Sequence, residues 1–244
     1  MAPVFDSVAA LLHEQQGMSH VLKAVLFDVD GTLVDSNDAH AHAWVKAFAD
    51  SGVTVEFTRV RRCIGMGGDK LMPEVSGLEE DSPLGSKIAK RRGEIFTTEF
   101  LPKIQPFKDA GRLVAAQKHL GLTVVAASSA QKDELKALLK IAGADAVMDG
   151  ATSSDDADES KPAPDIIQAA LKRAKAAPRE AIMIGDTPYD VEAARRAGVA
   201  IIGFRSGGWS DADLAGAIAI YDGPWDLLEQ LNGHRLTPIG HRLT

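Results

Sequence analysis

At 244 residues the chain suits one large domain or one domain carrying a sizeable insertion, since domains run to roughly 150 residues. Hydrophobic residues at 45% and charged residues at 25% exclude a disordered chain, a collagen repeat and a coiled coil. With 27 Lys and Arg against 34 Asp and Glu, the formal charge of -7 excludes the basic surface a nucleic acid needs, and a single cysteine, Cys63, excludes an intrachain disulfide and a Cys-rich zinc site. One free cysteine fits a reducing compartment, so a cytoplasmic protein is expected. No stretch approaches the roughly 18 consecutive apolar residues of a membrane span.

Residues 1–20 show neither the basic start nor the continuous apolar run of a signal peptide, although Val8, Leu11 and Leu12 fit one face of a short helix. They read as an N-terminal extension before the first strongly patterned segment, with residues 1–17, ahead of Met18, expected to be dispensable. Val21 to Phe27 form a nearly continuous apolar run, the mark of a strand buried on both faces of a parallel sheet. Ser36 caps a helix with Ala39, Trp44, Ala47 and Phe48 on its apolar side, ended by Gly52. From there to about Gln105 the pattern stays helical, interrupted by Gly65-Met66-Gly67-Gly68. After Pro106 helix and strand alternate: a helix from Asp109 to Leu120, a strand from Leu122 to Ala127, and a helix from about Lys132 to Ala142. A helix begun by Pro164, a strand from Ala181 to Ile184, a helix from about Asp190 to Ala197 and a strand from Val199 to Phe204 complete the series. This rhythm implies βαβ units and right-handed crossovers. The expected fold is α/β, a doubly wound Rossmann-like parallel sheet core (21–35 and 106–232) with an inserted α-helical cap domain (36–105) and a tail (233–244) in which His-Arg-Leu-Thr occurs twice.

Ligands of open α/β sheets bind beyond the carboxyl ends of the strands. Those ends carry Asp28-Val29-Asp30-Gly31-Thr32, then Ser128-Ser129, then Gly185-Asp186-Thr187-Pro188-Tyr189-Asp190, with Lys161 in the loop between the last two. Asp28 and Asp30, two apart on an extended segment, face the same side, and Gly31 permits a sharp turn. Carboxylates this close repel unless a hard divalent cation sits among them, and an all-oxygen set (Asp28, Asp30, Asp186, Asp190) favours Mg2+. With one lysine and one hydroxyl beside it, such a cluster has the parts for phosphoryl transfer.

These four motifs, in this order, resemble those of the haloacid dehalogenase superfamily phosphatases. The resemblance runs from about residue 21 to 205 through Asp28-Val29-Asp30-Gly31-Thr32-Leu33-Val34-Asp35-Ser36, Ser128, Ser160-Lys161-Pro162-Ala163-Pro164-Asp165 and Gly185-Asp186 with Asp190. It implies that Asp28 attacks phosphorus to give an aspartyl-phosphate, while Asp30 protonates the leaving oxygen and later deprotonates water. Asp28, the Asp30 backbone carbonyl and Asp186 would hold Mg2+, with Asp190 supporting the metal shell. Ser128 and Lys161 would hold the phosphoryl oxygens, joined by Thr32 and the Ser129 N–H. The substrate would be a small phosphorylated metabolite, taken by a monomer or homodimer under a closing helical cap.

Within the cap, His40 falls ten residues after Asp30, where beta-phosphoglucomutases also place a histidine, and Trp44 reads as cap packing. Gly65-Met66-Gly67-Gly68 follows no strand and is no dinucleotide fingerprint. It is flanked by Arg61, Arg62 and Lys70, of which Arg62 and Lys70 are the expected contacts to a second anionic or strongly polar group of the substrate. Cys63 reads as a small buried residue. A phosphosugar mutase of the beta-phosphoglucomutase kind is the alternative activity. A signalling receiver domain is about half this length and lacks a carboxylate two residues after the phosphorylated one.

Overall fold

The computed structural model of the protein describes residues 21–233, so the readings placed on residues 1–20 and 234–244 lie outside the described residues. Six parallel strands form the main sheet: β1 (Ala24–Phe27), β4 (Thr123–Ala127), β5 (Gly150–Thr152), β6 (Ala181–Gly185), β7 (Ala200–Phe204) and β8 (Ala219–Tyr221), in the spatial order β5-β4-β1-β6-β7-β8. Side chains alternate between the two faces of these strands. Val25, Phe27, Val124, Ala126, Ile182 and Ile184 enter one apolar core, which also takes helices α5 (Ala110–His119), α6 (Lys132–Ile141) and α9 (Pro224–Gly233). Ala24, Leu26, Val125, Ala127 and Met183 enter the other, covered by α7 (Asp165–Ala174) and α8 (Pro188–Ala197). Burial on both faces explains why the strands read as apolar runs rather than as alternations.

The chain leaves β1 toward β4 and β5, then returns to β6 on the other side of β1. The crevice between β1 and β6 is therefore the switch point at which ligands of such sheets bind. Among the described residues no helix is long and apolar enough to cross a membrane.

Between β1 and β4 lies the helical insertion: α1 (Asn37–Asp50), α2 (Phe57–Cys63), α3 (Gly68–Ser76) and α4 (Pro83–Ile95), the last running into a π turn at Phe96–Phe100. Its interior is filled by Trp44, Phe48, Val60, Leu71, Met72, Ile88 and Phe96, all buried. Entry and exit of the insertion are tied by a two-stranded antiparallel ribbon, in which β2 (Val34–Asp35) pairs with β3 (Gln105–Pro106).

Two strands depart from the sequence reading. Both are half-buried three-residue strands at the sheet's edges: β5 carries only Gly-Ala-Thr, with no apolar run, and β8 ends the short apolar run 217–221, which the expected series stops short of. Lys161 thus follows β5, a strand the apolar pattern does not announce.

Candidate active site

The ladder of β1 continues one residue past the strand, where Asp28 N donates to Ile184 O at 2.9 Å, so the Asp28 side chain is delivered to the switch point. The chain then turns sharply. Gly31 adopts φ 73°, and Gly31 N donates to Val34 O at 2.9 Å. A Cβ on Gly31 would stand 2.2 Å from both Asn37 Nδ2 and Asp186 Oδ2, and one on Gly207 1.8 Å from the same Asp186 oxygen. Two glycines therefore make room for the Asp186 carboxylate, which accepts from Thr32 Oγ1 and Asn37 Nδ2, each at 2.9 Å.

Asp28, Asp186 and Asp190 bring one carboxylate oxygen each within 4.8 Å of one another, all buried. Lys161, itself 1% exposed, lies 2.5 Å from Asp28 Oδ1 and 2.7 Å from Asp190 Oδ1, although that Asp190 oxygen lacks a well-directed hydrogen bond. The other Asp190 oxygen accepts from Thr187 N at 3.0 Å and Thr187 Oγ1 at 2.7 Å, so Asp190 both caps α8 and joins the cluster. Three buried carboxylates against one ammonium leave excess negative charge. Burial first, then the Asp190 charge, pushes Asp186 up to about 7 despite its hydrogen bonds from Asn37 and Thr32. Burial likewise holds Asp28 well above its usual range, with Lys161 opposing. For Lys161 burial disfavours the charge, but Asp190 and Asp28 outweigh it and keep the ammonium firmly protonated.

The cluster fits a hard divalent cation. Its donors are all carboxylate oxygens, one lacks a well-directed hydrogen bond, and the repulsion that raises Asp186 is the kind a dication removes. Asp28, Asp186 and Asp190 are the side chains that would hold it. The carboxyl of Asp30 lies outside this group.

Asp30 turns instead toward the cap. It accepts from Ser36 Oγ and faces His40 Nε2 at 2.8 Å, while His40 stacks on Phe96 with centroids 4.0 Å apart. Burial alone would raise the Asp30 carboxyl, but His40, Ser36 and Arg92 outweigh it and hold the group below its usual range. The chain of contacts continues into the core. His40 Nδ1 lies 4.0 Å from Glu134 Oε1, and Arg92 Nη1 donates to Glu134 Oε2 at 2.7 Å while lying 5.2 Å over the Trp44 ring.

A cavity of about 50 Å³ is lined by Asp28, Asp30, His40, Trp44, Ser128 and Arg92, among others. A second cavity of about 250 Å³ shares Gly67, Gly68, Arg92 and Ser129 with it. The structure thus brings Asp28, Asp30, His40, Ser128, Ser129, Lys161, Asp186 and Asp190 to one place. Ser128 Oγ accepts from Ala130 N at 3.0 Å, and the buried Ser129 Oγ has no partner among the described residues.

Three expected substrate contacts lie elsewhere. The Thr32 hydroxyl is fully buried and committed to Asp186, which it orients. Arg62 stacks 4.6 Å over the Trp209 ring and lies 3.7 Å from Asp213, facing solvent beyond the site. Lys70 donates to Glu159 at 2.6 Å on the rim. Arg61 is likewise occupied, by Asp38 at 2.6 Å and Gly207 O at 2.7 Å, and so ties cap to core. Conversely, Asn37, Arg92 and Glu134 are missing from the sequence reading. Asn37 sits next to the motif that ends at Ser36, whereas Arg92 in the last turn of α4 and Glu134 in the first turn of α6 stand where charged residues ordinarily serve the helix ends. Cys63 is buried, and burial pushes its thiol up to about 11.

A sequence profile described as haloacid dehalogenase-like hydrolase matches residues 25–204. Over 189 residues the chain is 35% identical to the Protein SUPPRESSOR OF QUENCHING 1, chloroplastic, of Arabidopsis thaliana, a match covering 76% of this chain and 18% of that one. It is 29% identical over 230 residues to the phosphoglycolate phosphatase of Rhodospirillum rubrum, covering 88% of this chain and 95% of that protein. The crystal structure of a hydrolase from Pseudomonas syringae is similar with a TM-score of 0.79 at 28% identity, covering 86% of this chain and 98% of the other. The matched span runs from β1 to the end of β7 and takes in every carboxylate of the cluster, so the chain belongs to the haloacid dehalogenase-like hydrolases.

Proposed function

We propose that the protein is a Mg2+-dependent phosphatase acting on a small phosphorylated metabolite through an aspartyl-phosphate at Asp28. The observation that carries this reading is the pairing of Asp28 with Lys161, buried at the edge of a cavity whose wall also bears Asp30. When bound, Mg2+ supplies positive charge to the transferring phosphoryl group and relieves repulsion among the carboxylates. Lys161, the Ser128 hydroxyl and the Ser129 N–H serve the remaining phosphoryl oxygens. An Asp28 carboxylate oxygen attacks phosphorus in line, the bond from phosphorus to the leaving oxygen breaks, and Asp30 gives that oxygen a proton. Asp30 then takes a proton from water as the water oxygen attacks phosphorus, the Asp28–phosphorus bond breaks, and inorganic phosphate departs with Asp28 regenerated.

His40 and Ser36 orient the Asp30 carboxyl for both transfers. They also hold it low, which suits the base step. A bound phosphoryl dianion beside Asp30 opposes this through like charge and favours the protonated acid that the first step needs. The closed cap excludes bulk water from the reacting centre.

The purified protein with Mg2+ is expected to release inorganic phosphate catalytically from an aryl phosphate and from at least one member of a panel of sugar phosphates, nucleotides and phosphoglycolate. Failure to release phosphate from any of them would sink the reading. Conversion of a sugar phosphate into its positional isomer without net phosphate release would favour the mutase instead.

A further inference from the structure

The 250 Å³ cavity lies where the departing half of a phosphomonoester must go, since it adjoins the cavity of Asp28 and Asp30 through Gly67, Gly68, Arg92 and Ser129. Its wall carries three carboxylates, Asp69 and Glu80 from the cap and Asp158 from the core. Arg92 is the single cation on this wall, and it is spent on Glu134 at 2.7 Å and on the Trp44 ring. Lys70, Arg61 and Arg62, which would have answered an anion, are tied to Glu159, to Asp38 with Gly207 O, and to Trp209. Glu80 accepts no hydrogen bond at its carboxylate among the described residues. It is pressed against α3 so closely that a Cβ on Gly68 would stand 2.4 Å from its Oε1. Between the carboxylates stand Gln131, Ser154 and Ser160, and the Ser129 hydroxyl, buried and without a partner among the described residues, lies on the shared wall.

Carboxylates are acceptors that repel a second anion, whereas serine and glutamine both donate and accept. Ser154 Oγ already donates to Ala130 O at 3.3 Å, and Ser160 Oγ accepts from Gly67 N at 3.0 Å and donates to Lys161 O, so the buried donor left unanswered among the described residues is the Ser129 hydroxyl. An ammonium, which only donates, could not answer it, while a sugar or polyol hydroxyl both donates and accepts. The space is slightly below the roughly 300 to 1,000 Å³ of drug-sized pockets, and it suits one sugar ring or a short polyol. We infer that the substrate's leaving group is uncharged and hydroxyl-rich, a sugar or polyol, and that Glu80 selects it by accepting hydroxyl hydrogen bonds and repelling carboxylate and phosphate. This rests on the phosphatase reading above and reverses the second anionic group expected from the basic residues of the cap.

The test compares kcat/KM of the full-length protein for hexose phosphates and polyol monophosphates with that for phosphoglycolate, pyrophosphate and ethanolamine phosphate, with aryl phosphate hydrolysis as the reference for the core chemistry. A hydroxyl-rich phosphate is expected to exceed phosphoglycolate by about tenfold or more. Glu80→Gln should reduce that ratio by roughly 10- to 150-fold, the range for losing a charged hydrogen bond. Asp158→Asn, with thermal melting to confirm folding of both variants, should shift the ratio the same way. Preference of the native protein for phosphoglycolate, pyrophosphate or ethanolamine phosphate would overturn the inference while leaving the phosphatase intact. So would an unchanged ratio in both variants. Absence of aryl phosphate hydrolysis would overturn the phosphatase reading and the inference with it.

Discussion

Replacing Asp28 with Asn is expected to lower turnover by on the order of 10³-fold or more, while the protein melts within a few degrees of the native temperature. The amide has nearly the shape of the carboxylate but is no nucleophile toward phosphorus, so the covalent route closes and no neighbour can replace it. The fold should tolerate the change for an electrostatic reason. Asp28 is held well above its usual range by burial and by the charges of Asp190, Asp186 and Asp30, so removing its charge relieves repulsion, and Lys161 keeps Asp190 at 2.7 Å. Phosphate release by the purified variant within tenfold of native would remove Asp28 from the nucleophile's role.

Chelation of divalent cations should abolish turnover, and the same cluster should show itself in stability without any assay of activity. In the metal-free protein Asp186 titrates at about 7, against 3.8 for an ordinary aspartate. Below about pH 4 both the folded and the unfolded chain carry the proton. Between about pH 4 and 7 only the folded chain keeps it, so each rise in pH costs stability, on the order of 4 kcal/mol across the window, and above about 7 the loss is complete. A dication bound among these carboxylates would replace that proton. Mg2+ should therefore raise the melting temperature much more at pH 8 than at pH 5, whereas equal shifts at both pH values would show that it binds elsewhere.

The strand ends were the legible part of the site, because burial on both faces writes an apolar run and the residue after each run is fixed by the sheet. Asp28, Ser128 and Asp186 follow such runs in β1, β4 and β6. Lys161 was legible only through its motif, since the edge strand before it is three residues long with no apolar signature. The cap resisted in a different way. Helical periodicity shows which side of α4 is apolar but not that Arg92 lies over Trp44 and reaches Glu134 on a core helix, a contact that exists only once two distant segments have packed. For the same reason sequence gave no sign that Arg62 would face Trp209, that Lys70 would face Glu159, or that Thr32 would spend its hydroxyl on Asp186. Proximity to a glycine-rich loop placed the two basic side chains near the cavity, and their partners turned them away from it.

In the proposed mechanism phosphate leaves through two in-line displacements at Asp28, and the stereochemistry at phosphorus distinguishes this route from direct attack by water. Each displacement inverts the configuration, so a phosphorothioate monoester made chiral with oxygen isotopes, hydrolysed in water enriched in a third isotope, should give thiophosphate with overall retention. Inversion would mean that water attacks phosphorus in a single step and that Asp28 never bears the phosphoryl group.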